Sequence, residues 1–306
     1  MSLWDNRSHI KTIENVIATV ADWFVPPPSA LEARAAATLR DELRQLSGQT
    51  GIGASPFWQQ TCQALLRHAE NGDPRFFMRW PPIKGTMVNG TSAFTATALS
   101  RLRQSADWQS KWKPAITHRL HGHGPPFLPY PWTNGNTIMH AAHLCHFKQV
   151  TGRDWLDYPT IIECGGGYGS MCRLVQAIGF TGRYTIFDLP PVQALQRYFL
   201  TLHGAMGTQS VLFTDSLQVI TAETGPRAAL MSTWALSEMP LPLRDEIVRL
   251  LENDHVEACL LAYQHHFEGT DNVTWFRTLT DRTGSLWDWR LTPIDASSDY
   301  LVGIRR

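Results

Sequence analysis

The 306-residue chain lacks an excess of charge of either sign, because 27 Lys and Arg residues are matched by 27 Asp and Glu residues. Nucleic-acid-binding proteins usually carry a basic surplus or stripe, so we expect no nucleic-acid partner. No apolar run reaches about 18 residues, so the sequence predicts no membrane-spanning helix. The N-terminal stretch also lacks the long apolar core and small-residue cleavage site of a secretory signal, and none is expected.

Cysteine is scarce and shows neither a disulfide pattern nor a metal-binding spacing. The five residues are Cys62, Cys145, Cys164, Cys172 and Cys259, and no two of them form a CxxC pair. An odd, scattered set of this kind is typical of a reduced, cytoplasmic protein.

Tryptophan, by contrast, is abundant, with 12 residues in the chain. Seven precede residue 150: Trp4, Trp23, Trp58, Trp80, Trp108, Trp112 and Trp132. Large aromatic side chains mostly fill cores and interfaces. The alternative, which the sequence leaves open, is that one or two of them line a pocket for a flat or sugar-like ligand.

The N-terminal half has the pattern of helices separated by proline and glycine. Apolar residues at helical spacing predict helices over His9–Phe24, 29–48, 55–72, 92–104 and 137–152. Ser29 and Glu32 predict a capping box for the second helix, and Ser55 predicts an N-cap for the third. Five prolines and three glycines within residues 113–136 predict an ordered loop or linker.

From residue 158 onward, short apolar runs alternate with helical segments. The predicted strands are TIIEC, RYTIFDL, QSVLFTD, AALMSTW and ACLLAYQ, and the predicted helices cover 170–178, 191–203, 216–223 and 241–253. This alternation predicts a doubly wound α/β sheet, and the last two runs, SLWDWRLTPI and SDYLVGIRR, predict a terminal antiparallel pair. We therefore expect a helical domain over residues 1–152, for substrate binding, a lid or dimerisation, and a Rossmann-like domain over residues 153–306.

The stretch TIIECGGGYGS places a glycine-rich loop directly after the first predicted strand. Such a loop lets a dinucleotide or S-adenosylmethionine (AdoMet) approach the backbone. The spacing is GxGxG from Gly165, and Ser170 stands where the dinucleotide pattern has its third glycine. Glu163 near the strand end suits a cationic ligand better than a pyrophosphate. Asp188, after the second strand, can accept hydrogen bonds from ribose hydroxyls.

The pattern ExGxGxG, with an acid ending the second strand, resembles the class I AdoMet-dependent methyltransferases, whose sheet also ends with a reversed strand. The runs IIECGGGYGSMCRLVQ, YTIFDLPPVQALQRYFL and STWALSEMP are further similar to a family described as sugar O-methyltransferases. The likeness covers residues 158–306. Cys164 departs from it, since that family commonly has an aliphatic residue there, and STWAL departs as well.

This resemblance implies an AdoMet site built from the ends of the strands. Its residues are Glu163, Gly165, Gly167, Asp188, Leu189, Asp215 and Ser216. Glu163 would face the AdoMet ammonium or orient the loop, the two glycines would pass under the methionine portion, and Asp188 would hold the ribose. Leu189, Asp215 and Ser216 would surround the adenine, although Asp215 is equally suited to be a helix N-cap.

Methyl transfer to a hydroxyl requires a group that removes its proton, and three positions offer one. Glu238 follows the fourth strand, with helix capping as the alternative role. His265 follows the fifth strand and is preferred over His266, since neighbours on a strand point to opposite sides. His140 lies on the helix that enters the second domain. For these histidines the alternative is a structural hydrogen bond or a solvated position.

Two further groups of residues have no diagnostic spacing. His118, His121 and His123 occupy the proline–glycine loop, whose shape suggests a lid or substrate wall. Glu268 and Asp271 could join Glu238 and His265 around a divalent cation, but no metal motif is present and no metal is predicted.

The sequence therefore predicts AdoMet-dependent methyl transfer to a hydroxyl of a small metabolite, such as a sugar or a natural-product intermediate in biosynthesis. The alternatives are amine methylation, an NAD-dependent oxidoreductase on a similar fold, and a non-catalytic AdoMet-fold binding module. The expected partner is a small-molecule substrate, without membrane or nucleic acid, and a homodimer is left open.

Overall fold

The computed structural model describes residue 16 and residues 25–46, 54–117, 122, 124–206 and 211–306. Within these ranges, the predicted order of helices followed by alternating strands and helices is confirmed. The helix predicted over His9–Phe24 lies outside the described residues apart from residue 16, which is helical. The histidine loop of His118, His121 and His123 also lies outside them.

Two of the N-terminal helices, those that follow Ser29 and Ser55, begin at the caps that the sequence predicts. The N-terminal helices are α1, Ala30–Gln45; α2, Pro56–Asn71; α3, Pro81–Lys84; α4, Ala93–Gln104; α5, Lys113–Ile116; and α6, Gly135–Thr151, with a 3₁₀ segment at Pro74–Arg79 and a π turn at Trp108–Trp112. The capping box of Ser29 and Glu32 is present in α1, and Ser55 caps α2. Helix α6 ends at Gly152, which has φ 73°.

The main sheet of the described chain has seven strands. They are β1, Thr160–Cys164; β2, Arg183–Phe187; β3, Val211–Thr214; β4, Ala228–Thr233; β5, Val256–Gln264; β8, Trp287–Asp295; and β9, Ser298–Arg305. Their order is β3-β2-β1-β4-β5-β9-β8, with β1 to β5 parallel and β9 antiparallel to both neighbours. This topology is that of the class I methyltransferase fold, and it confirms the predicted terminal antiparallel pair. A separate hairpin pairs β6, His266–Phe267, with β7, Thr270–Asp271.

Helices on both faces connect the strands. They are α7, Ser170–Ala177; α8, Pro190–Leu202; α9, Leu217–Glu223; α10, Ala235–Glu238; α11, Leu241–Glu252; and α12, Asn272–Thr283. The chain runs from β1 outward through β2 to β3, then returns to the other side of β1 at β4. The carboxyl ends of β1 and β4 therefore border a crevice, which is where doubly wound sheets bind their ligands.

Side chains on the two faces of the sheet enter two apolar cores. Ile161 packs into a core that continues among the N-terminal helices, and its neighbour Ile162 packs into a second core under α11 and α12. Trp112, Trp155 and Trp287 are fully buried, so core packing accounts for these three tryptophans. All five cysteines are buried and carry free thiols.

The N-terminal helices pack directly on the α/β part. Arg197 of α8 forms an ion pair with Glu42 of α1 at 2.9 Å, and Arg173 of α7 donates to the Ala115 carbonyl at 3.1 Å. The division of the chain at residue 152 stays a prediction. Among the described helices, none combines the length and the apolarity that crossing a membrane requires.

Candidate functional site

A cavity of about 280 Å³ lies at the carboxyl ends of β1, β2 and β4. Its lining includes Trp58, Asn136, His140, His143, Glu163, Gly165, Gly167, Asp188, Leu189, Asp215, Trp234 and Glu238. The N-terminal helices α2 and α6 thus contribute walls to a site whose floor is the sheet. Of the residues predicted from the sequence to form the site, only Ser216 and His265 do not line this cavity.

Gly165 and Gly167 of the glycine loop have different structural roles. Gly165 has φ 78°, and a Cβ built on it would lie 2.0 Å from the Cβ of Ala235, at the start of α10. Gly167 has φ 53°, but a Cβ there would meet no atom within 4 Å. Gly165 is therefore required for close packing of the loop against α10, whereas Gly167 leaves space open beside the cavity.

Asp188 holds the glycine loop through hydrogen bonds. Its Oδ2 accepts from the Gly166 N–H at 2.9 Å and from Gln196 Nε2 at 2.7 Å, and its Oδ1 accepts from the Leu189 N–H at 2.8 Å. Burial raises the pKa of Asp188 to about 7, although these donors act in the opposite direction. The Gly167 N–H also lowers this pKa, so four protein donors act on a carboxylate that has roughly four acceptor sites.

Glu163 is buried beneath the loop and is only 2% exposed. Its Oε2 accepts a hydrogen bond from the Tyr184 hydroxyl at 2.8 Å. Burial and, to a smaller extent, the negative charge of nearby Asp188 raise the pKa of Glu163 to about 8, against the hydrogen bond from Tyr184. At neutral pH this carboxyl therefore retains its proton until a positive charge binds next to it.

We expect the ligand-free protein to lose stability as the pH rises from about 5 to about 8. The folded Glu163 carboxyl has a pKa of about 8, against an ordinary value of 4.5, so the folded state holds more protons in this window and rising pH favours unfolding. The Glu163→Gln variant keeps an acceptor for Tyr184 and should remove part of this dependence, on the order of a few kcal/mol. Urea midpoints at pH 5 and pH 8 measure the effect, with Glu70→Gln on the exposed surface of α2 as the control. An unchanged pH dependence in Glu163→Gln would contradict the prediction.

The residues predicted near adenine follow β2 and β3. Leu189 and Asp215 line the cavity, and Asp215 is exposed. Ser216 caps α9, with its Oγ accepting from the Val219 N–H at 3.4 Å. The alternative that Asp215 is the N-cap is therefore wrong. Ser216 has a structural role that needs no ligand.

Glu238 ends α10 and lies in the cavity, held by two donors. Its Oε2 accepts from the Trp58 indole Nε1 at 2.9 Å, and its Oε1 accepts from Gln264 Nε2 at 3.0 Å. Burial raises the pKa of Glu238, against the hydrogen bonds from Gln264 and Trp58. The N-cap position of α11 is Pro240, which provides no side-chain cap, so the alternative that Glu238 caps this helix is wrong.

Trp234 connects β4 to α10 in an uncommon backbone conformation. Its φ is 75°, which bulky residues rarely adopt, and its N–H donates to the Ala262 carbonyl at 2.7 Å. The ring lines the cavity and meets the His143 ring edge to face, with centroids 6.4 Å apart. Strained residues of this kind concentrate at functional sites, where the surrounding structure holds them in place.

Two of the three histidines of α6 line the cavity, and the third lies outside it. His140 lines the cavity, burial lowers its pKa to about 4, and its buried Nδ1 has no hydrogen-bond partner among the described residues. His143 also lines the cavity, and its Nδ1 lies 2.6 Å from the Tyr300 hydroxyl. His146 is outside the cavity and stacks on the Tyr300 ring at 4.2 Å. At neutral pH, His140 presents a neutral ring nitrogen that can accept a proton.

His265 is not brought to the cavity. Its Nε2 lies 3.0 Å from Asp299 Oδ2, and neither His265 nor His266 lines the cavity. The alternative of a structural hydrogen bond fits His265 better than proton abstraction. No cluster of three or more His, Cys, Asp or Glu side chains suited to a metal ion occurs in the ranges that the structure describes.

Sequence reasoning missed the side chains that hold the predicted acids. Gln196 bridges Asp188 and the Gly167 carbonyl, where its Nε2 donates at 2.9 Å, and it is completely buried. The two glutamines in the first two turns of α8, Gln193 and Gln196, were the available signal. Trp58 offered no such signal, because its partner Glu238 is 180 residues away in the chain.

The charges of the cavity have a single sign. Its lining includes the acids Glu163, Asp188, Asp215 and Glu238, and no Lys or Arg is found in the part of the lining that the structure describes. Opposite charges attract strongly in a partly buried site, whereas like charges are excluded from it. The cavity is therefore suited to a cationic ligand and unsuited to a diphosphate.

No protein-family model matches the chain, and no curated protein matches it in sequence. Among solved structures, it is similar to a chain of the Pnkp1/Rnl/Hen1 RNA repair complex, with 14% identity over 52% of this chain and 41% of that chain and a TM-score of 0.38. It is similar to the mitomycin 7-O-methyltransferase MmcR, with 16% identity over 82% of this chain and 69% of that chain and a TM-score of 0.35. It is also similar to a SAM-dependent methyltransferase from Aquifex aeolicus, with 12% identity over 53% of this chain and 90% of that chain and a TM-score of 0.37.

These likenesses concern the fold alone, and the chain spans 41% of the length of the chain that it matches in the RNA repair complex. They support neither the predicted hydroxyl acceptor nor the likeness to sugar O-methyltransferases. The expectation that nucleic acid is not a partner stays a prediction as well.

Proposed function

We propose that this chain is an AdoMet-dependent methyltransferase that acts on a hydroxyl of a small metabolite. One observation carries the cofactor assignment: the glycine loop borders a cavity in which every charged side chain of the described lining is an acid. AdoMet carries a sulfonium and an ammonium, and both gain from such surroundings.

The same geometry disfavours the alternative of a nicotinamide dinucleotide. A pyrophosphate binds to free backbone N–H groups at a helix N-terminus. Here the Gly166 N–H donates to Asp188, and the Gly165 N–H donates to the Phe187 carbonyl at 2.8 Å. Two loop donors are therefore already engaged, and the acids nearby would repel phosphate oxygens.

The residues of the chain fit the cofactor as follows. When bound, AdoMet supplies the methyl group and its own leaving group. Asp188 and Asp215 would hold polar groups of the nucleoside, Glu163 would compensate positive charge below the loop, and Leu189 would contact the adenine. The open space beside Gly167 would accommodate the methionine portion.

Proton removal from the acceptor is the task left to the protein. Glu238 is the stronger candidate, because it lies in the cavity, is held by Trp58 and Gln264, and has a raised pKa. His140 is the second candidate, with a neutral ring and a free Nδ1.

Isothermal titration calorimetry tests the cofactor assignment. We expect AdoMet and S-adenosylhomocysteine to bind and NADH to bind at least about tenfold more weakly, a difference of about 1.4 kcal/mol. AdoMet should also displace protons from Glu163 and Asp188 near pH 7, so its binding heat should vary with the ionisation enthalpy of the buffer. Asp188→Asn should lose at least about tenfold in AdoMet affinity, whereas Asp299→Asn, outside the cavity, should not. Preference for NADH, or equal AdoMet binding by the two variants, would overturn the assignment.

A further inference from the structure

The cavity residues contributed by α2, by α6 and by the segment from β4 through α10 have a chemistry of their own. We define the acceptor end by its cavity-lining residues Trp58, His140, His143, Trp234 and Glu238. Building on the proposed methyltransferase function, we infer that the acceptor is a small molecule that carries an amine or only neutral polar groups. Acceptors with a carboxylate or phosphate are excluded.

The acceptor end provides no positive charge for an anionic acceptor. No Lys or Arg occurs among the described residues that line the cavity. Burial lowers the pKa of His140 to about 4 and that of His143 well below its ordinary value, so both rings are neutral at physiological pH. The formal charge that remains there is the carboxylate of Glu238.

The guanidinium behind Glu238 is already committed to the protein. Arg244 is 1% exposed, and its nitrogens donate to the Met239 carbonyl at 2.6 Å, the Ser237 carbonyl at 2.6 Å and Asn272 Oδ1 at 2.7 Å. It supports the backbone on both sides of Glu238 without reaching the cavity lining. An anionic acceptor could not pair with Arg244 unless these bonds broke.

Aromatic side chains at the acceptor end favour the binding of a positively charged group. The Trp58 indole donates its N–H to Glu238, which fixes the ring beside the carboxylate. Trp234 is held by its backbone, with φ 75° and an N–H bond to the Ala262 carbonyl. A carboxylate beside an indole ring is a favourable setting for an ammonium group, because the carboxylate attracts positive charge and the face of such a ring does so too.

The same features reject the anionic classes of acceptor. A phosphate or carboxylate would lose its water shell beside Glu238 and gain no cationic partner. Free sugars, polyols, phenols and amino alcohols satisfy the chemistry, whereas nucleotide-linked sugars and the phosphate backbone of RNA do not. The negative charge of the cavity thus favours neutral and cationic acceptors over anionic ones, a distinction that the fold alone does not make.

A charge-sorted fragment screen tests this inference. The protein, ¹⁵N-labelled at its tryptophans and saturated with S-adenosylhomocysteine, is exposed to equal numbers of cationic, neutral and anionic fragments at pH 7.5. The Trp58 indole resonance, assigned with Trp58→Phe, reports occupancy of the acceptor end. Matched probes are tyramine, tyrosol and 4-hydroxyphenylacetate, which share a phenol and differ in charge. The screen is repeated without S-adenosylhomocysteine. The charge preference of the acceptor end is then measured even if the chain does not bind AdoMet, so the two proposals can fail separately.

We expect cationic and neutral fragments to shift the Trp58 resonance and anionic ones to do so at least about tenfold more weakly. Glu238→Gln should remove the advantage of cationic over neutral fragments, and Asp254→Asn, whose side chain is 85% exposed, should not. Anionic fragments that bind as well as cationic ones, or a screen in which no fragment shifts Trp58, would overturn the inference.

Discussion

Gly167→Ala is expected to abolish most AdoMet binding while leaving the fold nearly intact, whereas Gly165→Ala is expected to destabilise the fold. At Gly167 a methyl group meets no protein atom within 4 Å, so it enters the space proposed for the cofactor. Its φ of 53° adds only about 1 kcal/mol of backbone strain. We expect at least a tenfold loss of AdoMet affinity, or about 1.4 kcal/mol, in calorimetric titrations.

At Gly165 a methyl group would lie 2.0 Å from the Cβ of Ala235, at a residue with φ 78°. Overpacking and left-handed strain together should lower the free energy of unfolding by about 2–5 kcal/mol. Urea denaturation measures this loss in the absence of any ligand.

Gly152→Ala is the matched control for both glycine variants. Gly152 has φ 73°, has no atom within 4 Å of a built Cβ, and ends α6 rather than lining the cavity. The Gly152→Ala variant should therefore lose stability through backbone strain but keep the AdoMet affinity of the wild type. If Gly167→Ala binds AdoMet as the wild type does, the loop does not lie under the cofactor. If Gly165→Ala is as stable as Gly152→Ala, the contact with Ala235 does not constrain the loop.

Glu238→Gln is expected to lower kcat for hydroxyl methylation by about 10²- to 10⁴-fold, because the base that removes the acceptor proton is lost. AdoMet affinity should change little, since Glu238 belongs to the acceptor end. Single-turnover transfer of labelled methyl, with AdoMet binding measured in parallel, separates the two effects.

His140→Asn and Trp58→Phe complete this test. If His140 is the base, His140→Asn carries the large loss and Glu238→Gln a small one. If Glu238 is the base, activity falls as the pH drops below its raised pKa, since only the ionised carboxylate accepts a proton. Trp58→Phe removes a donor that lowers this pKa, so the acidic limb of kcat/KM should move to higher pH. Small losses in both Glu238→Gln and His140→Asn would instead favour a neutral amine as the nucleophile.

Most of the cavity residues proposed to bind AdoMet could be predicted because the signal is local. Glu163 is the next-to-last residue of β1, Gly165 to Gly169 follow directly after that strand, and Asp188 follows directly after β2. Parallel strands bring their carboxyl ends to one edge, so a period-two pattern and a glycine spacing are enough to place these residues together. The ends of α1 and α2 could be predicted for the same reason, since Ser29 and Ser55 act within one turn of helix.

The acceptor end could not be predicted in the same way. The preference for His265 rested on strand alternation, but β5 ends beyond the cavity, and His265 meets Asp299 instead. Trp58 was one of seven early tryptophans without a pattern to single it out. Trp234 has an uncommon φ of 75° in the turn from β4 into α10, where its neighbour Ala235 packs against Gly165, and no local pattern indicates this conformation.

The sequence by itself determined the α/β class, the order of the strands along the chain, the glycine loop and the acids that flank it, because each depends on periodicity or on neighbours within a few residues. Only the tertiary structure decided that Trp58 of an N-terminal helix holds Glu238 and that Gln196 and Asp188 brace the loop. It also decided that the acids share one cavity whose described lining contains no Lys or Arg. Those relations join residues far apart in the chain, and they are set by packing of the helices on the sheet, which local propensity does not encode.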